Sequence, residues 1–296
     1  MSSLAFKARC SEKWESFLDW WFKPMGVLPL RIFEGLLVSS MLYYFYGYLK
    51  TPEWWLTNKG FHVSAEATSL HYLPPPPLPP AEWLTSLTIG FYFLGGLYLM
   101  GMWRRVLNWV FFGVCVYIQA MDQPSSFTIN RMFIISFFFL GLQSKEEWID
   151  GKRMTSGWIV RIFQLTLVIQ YIGAGICKFY WGDWLGRNDI IWTQAQGHYK
   201  NELAAWAVND LPMFGWYLLA WFSLGFESLA GVLFAWSRTR HATVVLGVLF
   251  HLGIAVLMKD LIYFSLQMIT AYVFFIEPTI LYRVRDRLNS FGEQKE

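Results

Sequence analysis

The chain has 296 residues, of which 55% are hydrophobic, 20% aromatic and only 15% charged. Soluble domains carry about a quarter charged residues, and the apolar residues here form long blocks, so the composition predicts an integral membrane protein. A net charge of +3 is too small to indicate nucleic-acid binding, and the three cysteines (Cys10, Cys115 and Cys177) lack metal-ligand spacing.

The apolar blocks predict an all-α, polytopic membrane helix bundle with about eight transmembrane helices. The first block lacks a small-residue cleavage site, so we expect a retained helix and not a signal peptide. Residues 1–26 would form an amphipathic cytoplasmic segment, residues 27–282 the membrane domain and residues 283–296 a short basic tail. The predicted segments are 27–49, 83–103, 106–121, 125–142, 158–179, 213–236, 242–258 and 261–281.

The fourth segment is the weakest of the eight. Its uninterrupted apolar part, residues 132–142, is too short to cross a bilayer, which needs about 20 residues. Two alternatives therefore remain: a partial span, or a span whose polar first half is buried among other helices.

The distribution of basic residues indicates that both termini lie in the cytoplasm. With an even number of spans, most Lys and Arg residues fall in cytoplasmic loops and tails, as the positive-inside rule requires. The outer loops would be residues 50–82, with a stiff proline run at 74–80, and residues 180–212, with an interfacial helix that caps the bundle. The basic residues left outside would be Lys50, Lys59, Arg187, Lys200 and Lys259.

Lys178 stands at the end of the fifth segment, where a charge is unexpected. A charge at mid-bilayer costs roughly 2.5 kcal/mol or more, so its helix face must contact protein, a water-filled cavity or a ligand. Helical side chains lean toward the N-terminus, which tilts this ammonium back into the membrane. Steps of three and four residues place a polar stripe on that face: Arg161, Gln164, Val168, Tyr171, Gly175 and Lys178.

The outer half of the predicted bundle contains a second candidate group, His251, about 10 Å below the outer end of the seventh segment. A lone histidine on an apolar helix is more often a hydrogen-bonded core residue. Two ionisable groups in one desolvated pocket, however, favour a functional site. Asp122, Asn130 and Arg131 are expected in the same half.

The inner half is expected to contain a structural charge cluster. Arg31 and Glu34 are three residues apart on one helix, a spacing that predicts an ion pair. Glu227 lies halfway or more along a descending helix, so we expect it to meet Arg31 or Arg161 toward the inner face.

Together these residues resemble a known family, the HTTM domain, which is the membrane part of vitamin K-dependent γ-glutamyl carboxylase and of many bacterial relatives. The resemblance extends from about Lys23 to Tyr282. It is carried by Pro29-Leu-Arg31, by Gln170-Tyr-Ile-Gly-Ala-Gly-Ile-Cys-Lys178-Phe-Tyr-Trp-Gly-Asp183-Trp184 and by Phe250-His251-Leu252-Gly253.

The resemblance implies that Lys178 deprotonates a quinol at the start of an oxygen-linked oxidation, with His251 as a further catalytic pocket residue. We expect the quinone to be bound by Asn130, Arg131, Tyr171 and Trp184.

Two departures from the family pattern argue against carboxylation of protein glutamate. The carboxylase has a histidine beside an asparagine in the region of residues 122–131, where this chain has Asn130-Arg131 and no histidine. The sequence also ends at Glu296, without the large luminal domain that grips the protein substrate.

The leading hypothesis is a bacterial-type inner-membrane protein that resembles the HTTM family. It would have an outward-facing pocket for a lipid-soluble quinone or hydroquinone and catalyse a base-initiated redox reaction there. The alternative is a non-enzymatic membrane protein that binds lipid or assembles with a partner. A transporter is less favoured, because the sequence shows neither repeat symmetry nor paired broken helices.

Overall fold

The computed structural model describes residues 3–60, 62, 76–121, 128–181, 184–185 and 189–293. Asp122, Asp183 and Arg187 lie outside these ranges, as do the first residues of the proline run and of the fourth predicted segment.

Helices dominate the described part of the chain, as predicted. The α-helices are α1 (Ser3–Phe22), α2 (Leu28–Leu49), α3 (Glu53–Leu56), α4 (Leu84–Leu99), α5 (Arg104–Met121), α6 (Thr128–Gly141), α7 (Trp158–Tyr180), α8 (Ile190–Gln196), α9 (Glu202–Asp210), α10 (Met213–Ala235), α11 (Arg240–Leu257), α12 (Ile262–Ala271) and α13 (Pro278–Glu293). Two 3-10 helices, Ala81–Trp83 and Tyr272–Phe275, precede α4 and extend α12.

A small antiparallel sheet, which the all-α prediction missed, ties the start of α2 to the start of α7. Its strands are β1 (Pro24–Gly26), β2 (Glu147–Ile149) and β3 (Lys152–Ser156), in the order β1-β3-β2. The hairpin between β2 and β3 turns at Asp150 and Gly151, with φ of 50° and 71°. Positive φ at both turn residues suits a two-residue loop whose twist matches the strands.

Three helices in the described residues are long and apolar enough to cross a membrane: α7, α10 and α11. They correspond to the fifth, sixth and seventh predicted segments, with ends displaced by at most two residues. α6 has only 14 residues, in agreement with the short apolar part of the fourth segment. α2, α4 and α5 correspond to the first three predicted segments, but they do not meet the criteria of length and hydropathy that α7, α10 and α11 meet.

The eighth predicted segment does not form one continuous helix. The helical structure ends at Phe275, and α13 then runs at 104° to the preceding helix. Pro278 explains the break, because it has no N–H to donate and disfavours helical geometry in the residue before it. If the bent pair forms one span, the helices that qualify by length and composition rise to four.

α7 and α10 cross at unusually close range. A Cβ on Gly175 would lie 2.8 Å from the Cα of Ser228, and one on Gly231 would lie 2.9 Å from Cγ1 of Ile172. Small residues at such crossings let helix backbones approach in the absence of a hydrophobic driving force. Gly175 therefore sets the distance between the two helices one turn before Lys178.

A cap formed by α8 and α9 covers one end of the bundle. Ile191 and Ala195 of α8 pack with Ala204 of α9 against Trp216 in the first turns of α10. Since Gly175 lies beside Ser228, α10 extends past the end of α7 by about ten residues, or about 15 Å, into this cap. The predicted interfacial helix of residues 180–212 is thus a pair of short helices.

Candidate functional site

A cavity of about 670 Å³ lies beside the cap, between α7, α10, α11 and α12. Small-molecule pockets have volumes of roughly 300–1,000 Å³, mostly apolar walls and a few convergent polar groups. This cavity has that character, with polar side chains from Lys178, Ser223 and Glu227 on one side. Its apolar walls include Leu219, Phe222, Leu246, Leu249, Phe250, Leu257 and Phe264.

Lys178 is held by two residues of α10 and one of the cap. Its Nζ lies 2.7 Å from Oε2 of Glu227 and donates a hydrogen bond to Oγ of Ser223 at 2.8 Å. Ser223 and Glu227 are four residues apart, so both project from one face of α10. The ring of Trp184 lies 4.1 Å from Nζ, within cation–π range. The lysine thus faces protein and cavity, as the polar stripe predicted.

The position of Glu227 corrects an expectation. It pairs with Lys178, not with Arg31 or Arg161, because α10 starts about 15 Å beyond the end of α7. A residue well along α10 therefore lies level with the last turn of α7. Arg161 instead donates to the carbonyl oxygen of Trp21 at 2.8 Å and lies 4.6 Å from the ring of Trp20.

The predicted pair of Arg31 and Glu34 is confirmed at the opposite end of the bundle. Glu34 is buried, and Arg31 also contacts Glu146. This cluster joins α2 to the loop after α6 and lies far from Lys178, because the aromatic ring of Phe33 packs 4.6 Å from that of Phe163 in the first turns of α7.

His251 and Tyr171 lie behind the cavity wall and do not line it. His251 is 1% exposed, and its Nε2 lies 3.0 Å from the hydroxyl of Tyr171, which also hydrogen-bonds the hydroxyl of Tyr272. Among the described residues, Nδ1 of His251 has no hydrogen-bond partner. The ring of Phe250 separates this buried chain from the cavity that Lys178 faces.

Of the other residues predicted to bind the ligand, one lines the cavity and two do not. Trp184 lines the cavity, whereas Asn130 and Arg131 do not. Asn130 is buried and donates to the carbonyl oxygen of Cys115 at 3.2 Å and to Oε1 of Gln119 at 2.9 Å. The cavity is reached instead by the two preceding residues of α6, Thr128 and Ile129.

Among the residues that contact Lys178, the sequence analysis did not name Ser223, and it assigned Glu227 to the inner charge cluster. Their spacing of four residues in an apolar helix was a usable signal, because both fall on one helix face. Among the described residues no group of His, Cys, Asp and Glu side chains could hold a metal ion. What the site offers is an amine and a carboxylate in contact, beside an apolar cavity.

No family model matches the sequence, and no match was found among curated proteins or solved structures.

Proposed function

We propose that this chain is an HTTM-like membrane protein whose cavity beside Lys178 binds a lipid-soluble quinone or hydroquinone and takes a proton from it. The observation that carries the proposal is the placement of Lys178, Ser223 and Glu227 together on one side of a mostly apolar cavity. A prenylated quinol matches this arrangement, because its ring oxygens are polar and its chain is apolar.

The proposed topology has about eight crossings, with both termini on the cytoplasmic side of the inner membrane. α7, α10 and α11 supply the crossings that length and composition support, and the distribution of basic residues supports the orientation. In this topology the cap of α8 and α9 faces outward.

The chemistry assigned to the site is general base catalysis by Lys178. When bound, a hydroquinone would supply two protons and two electrons; the family resemblance implies dioxygen as the oxidant, with one oxygen atom ending in the quinone epoxide and the other, with both protons, in water. In its neutral form, which is the reactive one, the amine of Lys178 accepts a hydroxyl proton and becomes the ammonium that pairs with Glu227. Glu227 and Ser223 already lie where they stabilise that ammonium, at 2.7 and 2.8 Å. Trp184 covers it and limits the access of water.

The contact between Lys178 and Glu227 also supports a second function. An ion pair between α7 and α10 can lock two helices of a protein that binds lipid, or assembles with a partner, without any reaction. In that case the ammonium remains charged throughout, and the cavity contains phospholipid chains.

Lys178→Arg separates the two functions, because arginine retains a charge but does not release its proton near neutral pH. We expect lipid extracts of the purified parent to contain about one isoprenoid quinone per chain by mass spectrometry. We expect the variant to retain that quinone and to lose hydroquinone oxidation by about 100-fold or more. Lys59→Arg, on an exposed loop, is the matched control.

Two results would overturn the enzymatic proposal. Phospholipid alone in the extract would favour the lipid-binding function, and full hydroquinone oxidation by Lys178→Arg would make Lys178 a structural anchor.

A further inference from the structure

A second polar cavity, of about 360 Å³, lies at the end of the bundle opposite to Lys178. Its place follows from α2 and α7, whose first turns pack together through Phe33 and Phe163. Cationic side chains come from α2, from the start of α5 and from the loop after α6, together with one carboxylate. The charged residues that line it are Arg31, Arg104, Arg105, Lys145 and Glu146.

Cations exceed carboxylates in this cavity. Arg31 is engaged by Glu34 and Glu146. Nε of Arg104 is 3.8 Å from Oε2 of Glu34, beyond hydrogen-bond distance, and is buried with no hydrogen-bond partner among the described residues. Arg105 and Lys145 are exposed, and neither forms an ion pair with an acidic residue that the structure describes. The cavity therefore presents positive charge that the described acidic side chains do not neutralise.

The turn that leads into α5, directly before the cavity residues Arg104 and Arg105, exposes apolar side chains. Met100, Met102 and Trp103 are 69%, 43% and 65% exposed, and Val106 in the first turn of α5 is 63% exposed. Trp103 has a φ of 47°, which is uncommon for a bulky residue. Tryptophan and other apolar side chains next to arginines are typical of a membrane–water interface.

We propose that this cavity binds the phosphate of an anionic phospholipid, with its acyl chains along Met100, Trp103 and Val106. Arg105 and Lys145 contact the phosphate, and Arg104, which also lines the cavity, adds a further positive charge. The exposed apolar side chains directly before Arg104 favour a lipid over a free phosphate ion, because a free ion gains nothing from them. This site is independent of the one beside Lys178.

Native mass spectrometry of the full-length chain in detergent tests the proposal. Phosphatidylglycerol and phosphatidylcholine are added separately, and retained lipids are counted on the parent and on Arg105→Gln/Lys145→Gln. Each basic residue near a membrane surface is worth about fivefold in binding of anionic lipid, so we expect about a 25-fold loss in the double variant. The control, Lys152→Gln/Arg238→Gln, removes two exposed cations outside the cavity.

The proposal expects phosphatidylglycerol to bind more tightly than phosphatidylcholine on the parent and on the control, but not on the double variant. Equal retention of the two lipids by the parent would overturn it, as would an equal loss in the control. Displacement of phosphatidylglycerol by an equimolar amount of inorganic phosphate would show that the site recognises a free anion and would overturn the lipid assignment. None of these outcomes depends on a quinone.

Discussion

Removing one partner of the Lys178–Glu227 pair is expected to destabilise the protein more than removing both. Lys178→Met deletes the ammonium and leaves the carboxylate of Glu227 only 12% exposed, without the cation that lies at 2.7 Å. Breaking a buried pair in this way costs 3–5 kcal/mol. Because the two side chains are 16% and 12% exposed, we expect about 2 kcal/mol, below that range.

The double variant Lys178→Met/Glu227→Gln removes the stranded charge as well. Residues in direct contact commonly show coupling energies of 0.5–3 kcal/mol, and we expect about 1 kcal/mol of stability to return. Equilibrium unfolding with a denaturing detergent, followed by tryptophan fluorescence, gives the free energies, since the chain has 17 tryptophans.

Lys59→Met is the control, because Lys59 is exposed on a loop and its loss should leave the free energy of unfolding within about 0.5 kcal/mol. Glu227→Gln alone completes the comparison. If the effects of Lys178→Met and Glu227→Gln simply add in the double variant, Lys178 and Glu227 are not coupled. The ion pair would then contribute nothing to holding α7 against α10.

Two further predictions concern the same helices. Gly175→Ala should destabilise the protein by about 1–3 kcal/mol, because its Cβ would lie 2.8 Å from the backbone of Ser228. Gly173→Ala, where a Cβ meets nothing within 4 Å, should have little effect, and equal melting of the two variants would refute the close crossing. His251→Leu should lower stability by about 1–2 kcal/mol through the lost hydrogen bond to Tyr171, yet leave ligand retention within about twofold. A selective loss of ligand would place His251 in the binding site.

The sequence predicted the long helices well, because uninterrupted apolar runs leave few alternatives for α7, α10 and α11. Breaks and turns caused by individual residues were not predicted. Pro278 broke the last apolar run, and Asp150-Gly151 formed a hairpin within a segment treated as a loop. Both signals were present, but the hydrophobic pattern outweighed them.

The candidate site was predicted only on the side contributed by α7. Lys178 and Trp184 were identified because a charge and an interfacial aromatic stand out in an apolar run. Glu227 was placed at the wrong depth, since the prediction assumed that all spans begin at one level. The direction in which the side chain of Asn130 points is set by its hydrogen bonds to Cys115 and Gln119 on the neighbouring helix α5. A contact between two helices of this kind cannot be read from the local sequence pattern.

The close contact between Gly175 of α7 and Ser228 of α10 determines the distance between the charged groups beside it. Gly175 is one helical turn before Lys178, and Ser228 directly follows Glu227, so the backbone separation fixes the gap between amine and carboxylate. A shift of about 2 Å between the helices would replace the direct contact by a water-bridged one. Any ligand that wedges α10 away from α7 therefore alters the electrostatics of Lys178 without touching it.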